Sequence, residues 1–138
     1  MKTWLRIVPA IIWMAVIFYM SHQPGEALDE NVMVWVQTLF PVIRDLNFGH
    51  FIASFILALF VYLALGAKWL NWRGRLLTVL ICVLYGVTDE YHQSFIPGRS
   101  PDLLDLRNDG IGALIAMLLV SLKPVHRLYI RLLEGKKY

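Results

Sequence analysis

Apolar positions fall into four long stretches separated by polar connections. The first runs from Trp4 to Met20, with only Arg6 interrupting it near the start; at about 17 residues it is at the short end of what a bilayer core requires. Pro9 is placed to kink it early. The second runs from Phe48 to Gly66, with Asn47 as a helix start and Gly66 as a stop. The third begins near Arg75 or Leu76, stays apolar through Val87, and then enters Thr88, Asp89, Glu90, Tyr91, His92 and Gln93. Phe95 to Gly98 reads as a turn, punctuated by Pro97 and Gly98. Ser100 as an N-cap and Pro101 at the first helical position predict a fourth helix reaching about Leu122, just before Pro124. Such a helix rises about 33 Å, enough to cross.

The connection from Ser21 to Asn47 carries its own pattern. Leu28, Val32, Trp35, Val36, Leu39 and Ile43 recur at helical spacing, and Asp29 and Glu30 suit a helix N-terminus. This predicts a short helix from Asp29 to Phe40 lying in the membrane interface or over the bundle, with a plain loop anchor as the alternative. The expected architecture is an all-α membrane protein. It is a single domain over residues 1–138 with four transmembrane helices, at about 4–20, 48–66, 75–93 and 101–122, and a short interfacial helix in the first outer loop.

Composition agrees with the pattern. The 138 residues are 58% hydrophobic and 17% charged, an apolar excess that a soluble core of this size cannot hide, so a soluble globule and a disordered chain are both excluded. The single cysteine, Cys82, leaves no internal disulfide. Lys2 and Arg6 ahead of an apolar run resemble a secretory leader, but Phe18, Tyr19 and Met20 offer no small-residue cleavage pattern, so the first stretch is read as an uncleaved span. Ten of the 13 Lys and Arg residues flank one side of the four spans, and only Arg44, Arg99 and Arg107 fall on the other. The positive-inside rule then places both termini in the cytoplasm of a multi-pass protein. The basic residues from Lys123 to Lys137 sit beside a span, where anionic lipid headgroups account for them better than nucleic acid does.

The remaining polar residues gather at one end. At about 100° per residue, Asp102, Asp105, Asn108, Asp109, Gly112 and Ala116 fall within an arc of roughly 120° on the fourth helix. That face is polar at its outer end and small deeper in, and Gly112 and Ala116 permit close approach of a neighbouring helix. On the third helix, Tyr85, Asp89 and His92 share a stripe, with Gly86, Glu90 and Gln93 beside it. His50 enters the second span about one turn inside the same leaflet, with Ser54 on the same face below it. His50, Asp89, Glu90, His92, Gln93, Arg99, Asp105 and Asp109 thus reach one depth from separate segments, and ionisable groups inside a membrane are functional candidates by default.

At these residues the sequence resembles the VanZ family of small membrane proteins, named for a member of a glycopeptide-resistance cluster associated with teicoplanin resistance. The resemblance is strongest over YGVTDEYHQSFIPGRSPDLLDLRNDGIG, residues 85–112, where Asp89, Glu90, His92, Gln93, Pro97, Gly98, Arg99, Asp105, Asp109 and Gly112 meet the family's ordered pattern. Weaker correspondences are SHQPG, with Ser21 and Gln23, and GHF, with His50 and Phe51. The resemblance implies a bacterial cytoplasmic-membrane protein of the cell envelope and a link to teicoplanin susceptibility.

Three uses of the polar cluster stay open. As an enzyme acting on an outer-leaflet or lipid-linked envelope intermediate, His50 or His92 transfers a proton, Asp89 or Glu90 orients it, and Arg99 holds a phosphate or carboxylate. Asp105 and Asp109, one turn apart, suit a divalent cation, although no cofactor or metal is specified by a recognisable motif. As a binding protein, Gln93, Arg99, Asp105 and Asp109 grip the polar head of a membrane lipid or amphiphile. As a structural knot, Asp89, His92, Asp105 and Arg99 fix the packing of three helices through salt bridges and hydrogen bonds. Proton or ion transport is disfavoured, because the polar residues stop halfway across.

Overall fold

A computed structural model of the chain describes residues 2–24, 38 and 46–134. These residues form five α-helices and no strand. They are α1 (Thr3–Ser21), α2 (Leu46–Leu65), α3 (Trp72–Gln93), α4 (Leu103–Ser121) and α5 (Lys123–Glu134), with a 3-10 turn at Ala67–Trp69 between α2 and α3. The expected interfacial helix from Asp29 to Phe40 lies outside the described residues apart from Thr38, which is helical.

Local chemistry sets the boundaries. Gly66 ends α2 with φ +85°, a left-handed conformation that side chains with a Cβ resist. Asn71 caps α3, its Oδ1 accepting from Arg73 N at 3.0 Å and Gly74 N at 3.1 Å, so this helix starts before the Arg75–Leu76 boundary that hydropathy predicts. The turn at Phe95–Gly98 forms, closed by Arg99 N donating to Ile96 O at 3.1 Å. The start expected at Ser100 and Pro101 is displaced: Asp102 is the N-cap, its Oδ1 accepting from Leu104 N at 2.8 Å. Pro101 precedes the cap.

Among the described residues, α1 and α2 are the helices long and apolar enough to cross a membrane alone, and the number rises to three if α4 and α5, bent by 86° at their junction, are taken as one span. The expected four crossings therefore do not follow from hydropathy: α3 ends in Asp89, Glu90, His92 and Gln93, and α4 opens with Asp105, Arg107 and Asp109. Sequence reasoning missed α5 altogether. Its signal is there to read, with Pro124 in the first turn and Val125, Tyr129 and Leu133 at helical spacing. Tyr129 packs edge-on to Tyr62, with ring centroids 5.3 Å apart, and its hydroxyl donates to Leu59 O at 3.0 Å, folding α5 back against α2.

The bundle is apolar outside and small or polar within. Leu76, Leu80, Leu84 and Val87 of α3 are exposed, whereas Gly74, Thr78, Cys82, Gly86, Asp89, Glu90 and Gln93 are buried. On α4, Leu114 and Leu118 face outward while Ala113, Ala116, Met117 and Val120 pack against Leu57, Ala58, Val61 and Tyr62 of α2. Lipid tails are as apolar as leucine, so helices in a membrane associate through close contact and hydrogen bonds, which leaves the large apolar side chains facing out. Gly112 brings α4 close to α2: a Cβ there would run into the Phe51 carbonyl. Side chain to backbone bonds add to it, with Trp13 Nε1 donating to Ala53 O at 2.9 Å and the Tyr85 hydroxyl donating to Met14 O at 2.6 Å.

Candidate functional site

α1 and α3 finish, and α2 and α4 begin, at the same end of the bundle. Ser21 at the end of α1 donates to Asp89 at the end of α3, and His50 near the start of α2 faces Asp105 and Asp109 near the start of α4. The site is built from these four helix ends.

His50 lies between the two acids of α4. Its Nε2 is 3.7 Å from Asp105 Oδ2 and its Nδ1 is 3.7 Å from Asp109 Oδ1. The two acids are one turn apart, which is why both reach the same ring. Gly86 of α3 makes room for Asp109, whose Oδ2 lies 2.5 Å from where a Cβ on that glycine would be. Asp89 divides its carboxylate between two neighbourhoods. Its Oδ2 accepts from Ser21 Oγ at 2.7 Å and from Gln93 Nε2 at 2.9 Å, whereas its Oδ1 is buried without a hydrogen-bond partner. Glu90 does the same: its Oε2 accepts from Asp102 N at 2.9 Å, tying α3 to the start of α4, and its Oε1 is buried without a partner.

His50, Asp89 and Glu90 each offer a ligand atom within 4.8 Å of the others. Beneath them is a cavity of about 20 Å³ lined by His50, Ser54, Tyr85, Gly86, Asp89 and Asp109 among others. Room for about one water-sized occupant is all that this volume provides.

The other candidates lie apart from this group. His92 belongs to the neighbouring stripe that faces α1, where its Nε2 and His22 Nδ1 share a hydrogen bond at 3.2 Å and its ring packs 4.4 Å from that of Phe18. Gln93 is buried and serves Asp89. Arg99, in the turn after α3, donates from Nε to the Gln23 carbonyl at 3.4 Å. Sequence reasoning gave no role to Ser21, which turns out to be the partner of Asp89, nor to Asp102 as the group that satisfies Glu90. Ser21 was visible in the SHQPG motif; no pattern within one segment says which acid it meets.

The described residues define a helical membrane protein with a polar, partly unsatisfied pocket at one end of an apolar bundle. The family model described as VanZ/LLP1 matches residues 6–124, and the chain belongs to that family. Comparison with curated proteins and with solved structures finds no match.

Proposed function

We propose that this chain is a four-span protein of the bacterial cytoplasmic membrane with both termini in the cytoplasm, and that the polar site at the helix ends, in the outer half of the bilayer and above the small cavity, binds the polar head of a membrane lipid, a lipid-linked envelope intermediate or a similar amphiphile. Such binding would alter teicoplanin susceptibility by competing for the drug or changing its access to the membrane. His50, Asp89 and Asp109 line the cavity, Glu90 and Asp105 belong to the same group through His50, Gln93 supports Asp89, and Arg99, in the turn after α3, is the proposed anchor for an anionic headgroup. One observation carries this reading: buried oxygens of Asp89 and Glu90 have no partner, although each residue's other oxygen is hydrogen-bonded. Buried polar groups are ordinarily satisfied, so a pair left open side by side marks a place for something else.

A structural knot is the competing reading, supported by the closed set of bonds among Ser21, Asp89 and Gln93. Purified protein separates the two. Native mass spectrometry of the protein with labelled envelope lipids should retain a lipid adduct, and Glu90→Gln and Asp105→Asn should lose it while melting at nearly the wild-type temperature. Collective loss of folded protein, with no adduct on the wild type, would establish the knot instead. Conversion of the labelled lipid, dependent on His50, would make the pocket an active site acting on a phosphate-bearing lipid.

A further inference from the structure

We infer that His50, Asp89 and Glu90 form a binding site for one divalent transition-metal cation, of the manganese or zinc class, whose open coordination positions face the proposed headgroup pocket. The cation deepens the proposed function by supplying the charge that recognises an anionic headgroup, and only that last step rests on it; the metal site stands on its own geometry.

One ligand atom from each of the three residues lies within 4.8 Å of the others. A first-row divalent ion bound at about 2.0–2.2 Å sets its ligands about 3–4 Å apart, so rotamer shifts of under about 1 Å close the set. Both acids also carry a buried oxygen without a partner. Asp89 and Glu90 are 5% and 7% exposed, and the oxygen each leaves unpartnered is fully buried. Independently of the acids, Ser54 is 3% exposed, lines the adjoining cavity one turn below His50, and has no hydrogen-bond partner for its Oγ. A hydroxyl in that position suits a metal-bound water, and the cavity of about 20 Å³ has room for one.

Charge gives the reason a cation is needed. Among the described residues no Lys or Arg pairs with Asp89 or Glu90. Two carboxylates held side by side away from water are costly unless a positive charge joins them. Asp105 and Asp109 stand at 3.7 Å from the two nitrogens of His50, so whichever nitrogen takes the ion, a carboxylate lies beside the other, as is usual for a metal-bound imidazole. One imidazole with several carboxylate oxygens favours manganese or zinc over the all-oxygen sites of calcium and magnesium.

Full-length protein in nanodiscs, stripped with chelator and then equilibrated with Mn²⁺ or Zn²⁺, should retain one equivalent per chain by elemental analysis. Bound Mn²⁺ should change its paramagnetic resonance spectrum. Glu90→Gln and His50→Gln should each weaken binding at least tenfold, while His22→Gln, next to the site but outside the set, should leave it unchanged. Failure of the folded wild-type protein to bind stoichiometrically overturns the site whatever the variants do. Loss of binding in the His22 variant alone, or binding of Mg²⁺ and Ca²⁺ only, overturns it as well. The lipid adduct is measured on both metal-free and metal-loaded protein. An adduct without any metal binding leaves the proposed function standing and removes this inference; metal binding without an adduct does the reverse.

Discussion

Asp89 is the residue on which the two sides of the site meet. One oxygen accepts from Ser21 and Gln93, which joins α1 to α3, the other is buried without a partner, and the residue as a whole belongs to the group with His50 and Glu90. Structure and chemistry therefore draw on different atoms of the same side chain, and substitutions can separate them. Ser21→Ala removes one donor from the structural oxygen, and interhelical hydrogen bonds in membranes are worth about 0.6 to 1.7 kcal/mol. Thermal or denaturant unfolding in detergent should register a loss of about 1 kcal/mol, with ligand or metal binding largely retained because the open oxygens are untouched. Glu90→Gln should have the opposite profile, since its amide oxygen still accepts from Asp102 N while its net charge is gone.

Helices α2 and α4 run alongside each other from the site end, and their closeness fixes the distance from His50 to Asp105 and Asp109. Gly112 controls that closeness. Gly112→Val should push α4 away from the Phe51 carbonyl, lower the melting temperature and abolish ligand binding together. Gly110→Ala is the matched control: its added methyl would meet only Val83 Cγ2 at 3.6 Å, an ordinary contact, and the variant should melt within a few degrees of wild type. Should both glycine variants behave alike, the close α2–α4 approach would not be what holds the site together. Helix α3 makes its own adjustment at Gly86, where Gly86→Ala should disturb Asp109 without disturbing the Ser21–Asp89 bond.

For the molecule as a whole, orientation is the feature on which the proposed outer-leaflet placement of the site depends. The turn at Phe95–Gly98 stands beside the site, with Phe95 exposed. Phe95→Cys in intact cells should react with a membrane-impermeant maleimide, and a cysteine at Arg127 should react only after lysis. Native Cys82 is 1% exposed and should stay silent, so it need not be removed. Labelling of position 95 only from the cytoplasmic side would invert the bundle and move the pocket to the inner leaflet.

The family, the helical class and the cluster of acids at one end were legible in the chain, because periodicity assigns faces and the ordered string from Asp89 to Gly112 carries the resemblance. Hydropathy by itself does not return four spans, since α3 and α4 carry their polar groups inside the helix and need protein neighbours to bury them. Helix faces also placed Gly112 and Ala116 against a neighbour, and α2 is that neighbour. Partners were another matter. Nothing local to Asp89 says that Ser21 takes one of its oxygens, or that His92 turns to His22 while His50 takes the acids of α4. Sequence determined which side chains share a face and a depth, since backbone geometry fixes that within each helix. Tertiary structure decided which of them touch and which oxygens stay open, because those contacts depend on how closely and at what rotation separate helices pack.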